Sequence, residues 1–434
     1  MEKALFEKLK NSLCEFIRIP SVRGESVEGA PCGVECNRAL EYALDLGLKL
    51  GFSDGKNLDG IVGYLDVGEG DTCFGILGHV DVVPAGEGWT KAPFGGEIID
   101  DKIYGRGAMD DKGPIVIIMY AIHKLLEEGR VLKKRIRMIL GADEETGGNP
   151  KITSWESMDR YLQTEKMPDI GISPDADFPV INAEKGILNV KLITKSPQCI
   201  IDAHGGTASN VVPNHSDMTL SIGAPIPDNP ILNVEKVDTG IKISAVGKNA
   251  HGAKPYEGDN AIVKLLVNVF PEDQRFLSLV DVFGTGLGID LSDEVSGRLT
   301  VNVGTMEKSG DNLVLVLNIR YPVSVKSDTV VEKLKENWQG TVEVLKDSKP
   351  LYVPKDHFLV KTLLDSYNKV TGECAEPIAI GGGTYARALP LGVAYGIMFP
   401  GDTDTMHSPD EYISFSNVEK AFDIYYEAIK NLCF

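Results

Sequence analysis

The chain has 434 residues, 43% hydrophobic and 25% charged, which excludes a disordered polymer and predicts two or three globular domains. Its formal charge of −19 argues against nucleic acid and anionic membrane as partners, since both call for basic surface. There is no apolar run near the ~20 residues that cross a bilayer, no apolar leader after Met1, and no disulfide framework in seven cysteines, so the expectation is a cytoplasmic protein with reduced thiols.

Leu5, Phe6, Leu9, Leu13, Phe16 and Ile17 recur at helical spacing ahead of Pro20 and predict a first helix. A second is predicted over 35–50, ending at Gly51. Cys32 and Cys36 have no matching second pair, which argues against a zinc knuckle. The short apolar runs 61–65 and 73–78 suit strands buried on both faces. A helix over 114–128, with proline in its first turn, and a strand over 135–140 follow. This alternation predicts an α/β fold, a helix-covered sheet. From 187 to 349 the pattern changes to alternating strands (188–192, 240–244, 313–318) with helical stretches near 260–270 and 329–337. That predicts an inserted α+β domain, with residues 1–186 and 350–434 forming the first. After it come a helix over 358–370, a strand over 393–399 and a last helix over 417–432.

Acids and histidines gather at predicted strand ends. His79 and Asp81 follow one strand, Asp143-Glu144-Glu145 another, Asp175 follows Ile170-Gly171-Ile172, His407 follows 393–399, and Asp110-Asp111 precedes a helix. Ligands of open α/β sheets bind beyond the carboxyl ends of strands, so one mouth collects His79, Asp110, Glu144, Glu145, Asp175 and His407. Such a cluster repels itself unless divalent cations neutralise it, and a nitrogen/oxygen donor set suits zinc or manganese. One carboxylate shared by two ions gives a paired hydrolytic site. Asp81 is placed to accept the second ring N–H of His79. Of the pair Glu144-Glu145, one would bind metal and the other act as a base. Asp110-Asp111 alone also suits a helix N-cap. His123, His204, His215 and His357 are expected to have no catalytic role.

The stretches Gly78-His79-Val80-Asp81-Val82-Val83-Pro84, Tyr104-Gly105-Arg106-Gly107-Ala108-Met109-Asp110-Asp111-Lys112-Gly113, Asp143-Glu144-Glu145-Thr146-Gly147, Ser173-Pro174-Asp175, Gly381-Gly382-Gly383-Thr384-Tyr385-Ala386-Arg387 and Asp404-Thr405-Met406-His407 resemble, in order, the dinuclear metallopeptidases grouped with aminoacylase and carboxypeptidase G. The PepV-like dipeptidases are the most similar group. The resemblance implies that Asp110 bridges two metals, His79 and Asp175 completing one site and Glu145 and His407 the other. Glu144 would be the general base on a metal-bridging water, and Asp81 would orient His79. It also implies a cis Asp110–Asp111 peptide. The insert would be a lid whose His251 stabilises the oxyanion and whose Asn210 and Arg320 hold the substrate carboxylate. Gly383, Thr384 and Arg387 would also contact substrate.

The resemblance thus implies a dipeptidase using two zinc or manganese ions on small peptides. Deacylation of N-acyl amino acids is the alternative, and a non-catalytic peptide binder the reading from another class. The insert looks enlarged, and relatives with an enlarged lid supply its histidine within one chain, so a monomer is expected. Gly96 stands where relatives often have proline, Asp101-Lys102 where many have Asp-Gly, and the stretch 148–156 is longer than in compact relatives.

Overall fold

In the computed structural model, which describes residues 1–147, 151–225 and 229–434, the first apolar stripe forms the helix Lys3–Ile17, burying Leu5, Leu9, Leu13, Phe16 and Ile17. The helix Val34–Lys49 follows, and Gly51, at φ 102°, takes the chain out of it. These belong to a unit made of Met1–Asn182, Tyr352–Ile378 and Thr384–Phe434.

Six neighbouring strands of the nine-stranded main sheet run Asp54–Leu58, Val62–Val67, Arg135–Gly141, Cys73–His79, Ile170–Ser173, Gly392–Ala394, beyond which Ile181–Glu184 pairs antiparallel to Gly392–Ala394. Val62–Val67 is antiparallel to its neighbours on both sides, and the four from Arg135–Gly141 to Gly392–Ala394 are parallel. It is therefore a mixed sheet whose parallel half sends four strand ends to one edge. Cys73–His79 is buried along its whole length, as a strand covered on both faces must be. The helix Lys112–Glu127 is buried over nearly all its circumference, which explains its continuous apolar run. The helices Phe358–Thr371 and Phe415–Cys433 join the same core.

The segment expected as one strand over 393–399 is two, Gly392–Ala394 and Ile397–Met398. Gly396 separates them at φ 85°, and a side chain there would meet the Phe178 ring at 2.5 Å. Gly96 has φ 57°, a conformation closed to proline.

The second unit comprises Ala183–Leu351 and Ala379–Gly383. Among the described residues eight of its strands form an antiparallel sheet in the order Leu232–Val237, Gly240–Val246, His215–Leu220, Ile200–Gly205, Thr300–Ser309, Asn312–Tyr321, Gly186–Lys195, Thr341–Ser348, and Ser292–Asp293 pairs separately with Gly297–Arg298. Alternation is clean in Gly186–Lys195, where Leu188, Val190 and Leu192 point into a core shared with the helices Ala261–Val269 and Ser327–Asn337. The fold is thus α/β with an inserted α+β unit. The Gly381–Gly383 turn, read in sequence with the first unit, belongs to the second. Among the described residues no helix is long and apolar enough to cross a membrane.

Candidate metal centre

The parallel strands explain why distant acids and imidazoles meet. His79 ends its strand opposite Gly141, which brings the following Asp143-Glu144-Glu145 beside it. Asp175 lies two residues past Ile170–Ser173, and His407 lies on the loop after Ile397–Met398 with φ 57°. Asp110 reaches the same point from the loop ahead of Lys112–Glu127, and the Asp110–Asp111 peptide is cis.

Asp110 sits at the middle. Its Oδ1 is 2.8 Å from His79 Nε2, and its Oδ2 is 2.9 Å from His407 Nε2. Asp175 Oδ2 lies 3.7 Å from His79 Nε2, and Glu145 Oε1 lies 3.1 Å from His407 Nε2. Each oxygen of one carboxylate thus faces an imidazole that has a second carboxylate beside it. Donor atoms of His79, Asp110 and Glu145 all lie within 4.8 Å of one another, as do those of His79, Glu144 and Asp175.

The electrostatics suit a cation. Burial pushes Glu144 well above the usual carboxylate range, and the charge of Asp175 adds to it. Burial and the nearby Asp110 push Asp175 up to about 7. Burial also raises Glu145. Contacts with Asp110 and Glu145 lift His407 to about 11. Burial alone would raise Asp110, but contacts from His407 and His79 outweigh it and hold it low. His79 Nε2 and Asp110 Oδ1 are buried and close, yet among the described residues neither has an aligned hydrogen-bond partner. Two buried donor atoms 2.8 Å apart and lacking such a partner fit a divalent ion with nitrogen and oxygen ligands.

Two details differ from the sequence reading. The carboxylate of Asp81 is not the nearest partner of the His79 ring. The backbone carbonyl of Asp81 meets Nδ1 at 2.9 Å, whereas Oδ1 lies 3.5 Å away. The Asp81 carboxylate instead accepts the amide N–H of Glu144 at 3.2 Å and of Glu145 at 3.1 Å. Asp111 occupies the N-cap position but caps nothing with its side chain. Its Oδ2 accepts the His79 amide at 3.1 Å, tying the two ligand-bearing loops together.

A network that sequence reasoning missed lies beneath the glutamates. The Tyr385 hydroxyl is 3.1 Å from Asp143 Oδ1 and 3.0 Å from Ser157 Oγ, and Ser157 Oγ also donates to Asp143. The Tyr385 ring stands edge-on to His79 and Trp155. Trp155 Nε1 donates to the Glu144 carbonyl at 3.2 Å. The only sequence signal was Tyr385 inside the glycine-rich motif. Trp155 belongs to the long stretch 148–156, of which residues 148–150 lie outside the described residues. The amides of Ile152 and Thr153 close onto Asp159 at 2.9 and 2.6 Å.

Asn210, His251, Arg320 and Gly383 belong to the second unit. There the Gly252 amide donates to the Asn210 carbonyl at 2.7 Å, and Val211 bridges His251. Arg320, 4% exposed, donates to Asn318 Oδ1 at 2.8 Å and to the Gly381 carbonyl at 2.7 Å. Thr384 and Arg387 lie on the first unit, where the Thr384 hydroxyl accepts the Ala386 amide and caps the turn Tyr385–Ala388. The remaining histidines have structural partners. His123 Nδ1 is 2.9 Å from the Leu50 carbonyl, His357 Nδ1 accepts the Leu359 amide, and His204 and His215 are exposed beside Asp202 and Asp217.

Residues 75–431 match the family model described as Peptidase family M20/M25/M40. The chain is 38% identical over 458 residues to "Putative dipeptidase YtjP" of Bacillus subtilis (strain 168), covering 98% of this chain and 97% of that protein. Among solved structures it is similar to the M20 family metallo-carboxypeptidase Sso-CP2 from Sulfolobus solfataricus (TM-score 0.58, 18% identity, 99% of each chain). It is also similar to human carnosine dipeptidase 1 (TM-score 0.58, 15% identity, 98% of this chain and 96% of the other).

Proposed function

The chain belongs to peptidase family M20/M25/M40, and on that premise we propose how its residues carry out metal-dependent hydrolysis of dipeptides. The observation that supports the reading most strongly is the central Asp110, with an imidazole and a further carboxylate at each of its oxygens. Asp110 would hold two divalent ions, zinc or manganese, with His79 and Asp175 completing one set and Glu145 and His407 the other. When bound, the ions supply Lewis acidity toward the scissile carbonyl and make water acidic enough to attack near neutral pH.

Glu144 is the general base. Burial raises its proton affinity, which suits a group that takes a proton from water and returns it to the leaving amine. Asp81 holds the backbone of Glu144 and Glu145, and Asp111 holds that of His79. His251 is assigned to the oxyanion, and Asn210 and Arg320 to the substrate carboxylate, from the resemblance of their motifs; a guanidinium fork matches a carboxylate bidentately. Gly383, Thr384 and Arg387 are assigned to substrate on the same ground. We further assign a monomer acting in the cytoplasm.

The test is the metal-stripped protein, resupplied with zinc or manganese, on a panel of dipeptides and N-acyl amino acids. Dipeptide cleavage is expected, with Glu144→Gln keeping its metal but losing about 10²–10⁴ in turnover. Cleavage of acyl amino acids alone would move the assignment to deacylation. A Glu144→Gln protein with full activity would end the base assignment.

A further inference from the structure

The loop carrying His407 runs on to Glu411 and then into the strand Tyr412–Ser414, paired with Lys102–Tyr104. Glu411 is fully buried, and its carboxylate is turned onto the backbone of the loop that ends at Asp110. Oε1 accepts the amides of Met109 at 2.9 Å, Gly107 at 3.1 Å and Asp110 at 3.3 Å. Oε2 accepts the Gly107 amide at 3.1 Å and Arg106 Nη1 at 2.8 Å. Arg106, 1% exposed, also reaches the Ala85 carbonyl at 3.3 Å and lies over the Trp89 ring. The Glu411 carbonyl closes the set by accepting the Gly105 amide at 2.9 Å.

Stability alone is a poor explanation for this arrangement. A buried ion pair contributes little over well-packed apolar residues of the same volume, because desolvation offsets the attraction. A carboxylate whose amide contacts all end on residues 107–110 does what an apolar side chain cannot. It fixes where Asp110 stands relative to its own loop, and that loop holds His407.

We propose that Glu411, backed by Arg106, is a positioning residue that sets the separation of Asp110 and His407 and thereby decides whether the second ion binds. The inference rests on the dinuclear reading of the centre. The first set shares Asp110 but takes its imidazole from His79, which ends a central strand and is held by Asp111 and by the Asp81 carbonyl, so it leans on Glu411 through one ligand and not two. The second set draws Asp110 and His407 from two loops that Glu411 joins.

The test titrates Mn²⁺ into the metal-stripped full chain, comparing wild type with Glu411→Gln and Glu411→Asp by calorimetry and electron paramagnetic resonance. Gln removes the ion pair and turns an amide donor toward donors. Asp keeps the charge but is one methylene too short to hold the same amides. In both variants the second Mn²⁺ is expected to weaken about 10–100-fold and the first, which keeps His79 and Asp175, to weaken much less. The spin-coupled signal of a paired centre should then give way to that of an isolated ion. Two-ion binding with wild-type affinity in either folded variant overturns the proposal. So does loss of the folded circular-dichroism spectrum in both, since the role would then be to hold the fold. A wild-type protein that takes up only one ion refutes the dinuclear reading itself, a separate result visible before any variant is made.

Discussion

Asp81 offers the sharpest division between two ways of building the centre. If its carboxylate served mainly to orient His79, truncation would unseat the imidazole. In the structure the Asp81 carbonyl does that work at 2.9 Å and would survive Asp81→Ala. What truncation removes is the pair of contacts to the Glu144 and Glu145 amides, at 3.2 and 3.1 Å. A hydrogen bond to a charged group contributes about 1.5–3 kcal/mol, and two that share one carboxylate are not fully additive, so about 2–4 kcal/mol is expected. At 1.36 kcal/mol per tenfold, that loss corresponds to about 30- to 1000-fold in kcat/KM if it falls on the placement of Glu144. The assay is dipeptide turnover together with metal content and amide hydrogen exchange of the peptide spanning 142–147. Exchange of the Glu144 and Glu145 amides should accelerate while the ion at His79 is retained. Unchanged exchange in that peptide, together with loss of the ion at His79, would refute the reasoning.

Two further outcomes follow from the packing and charge of the centre. A side chain at Gly141 would come within 2.1 Å of the Tyr385 hydroxyl, which is pinned by Asp143 and Ser157. Gly141→Ala should therefore destabilise the first unit by about 1–3 kcal/mol; a melting temperature equal to wild type would show that the network yields freely. Metal uptake should release protons, because ligands bind deprotonated. Asp175, raised from 3.8 to about 7, holds its proton in the folded metal-free protein between those values, so a cation must displace it there. His407, raised to about 11, gives up a proton across the neutral range. Affinity should thus climb with pH, more steeply below 7 than above. Calorimetry in buffers of different ionisation enthalpy should find more protons released at pH 6 than at pH 8; equal release would contradict the burial of Asp175.

Residue order alone pointed to the ligand candidates, because each of His79, Glu144, Glu145 and Asp175 follows a short apolar run, and such runs in an α/β pattern end at one edge of a sheet. Helix and strand periodicity likewise placed the inserted α+β unit. Periodicity is a local property, set by which faces must leave water, and a linear reading captures it. Contacts set by distant segments were beyond it. Gly396 breaks a strand because Phe178 occupies the space a side chain would need. Gly381–Gly383 joins the second unit, where its carbonyl meets Arg320. The Asp81 carboxylate, 3.5 Å from the ring two residues away, also accepts the glutamate amides, and Glu411 reaches back to the Asp110 loop. A buried carboxylate must find hydrogen-bond donors, and which amides lie within its reach is decided only when the strands and loops have packed.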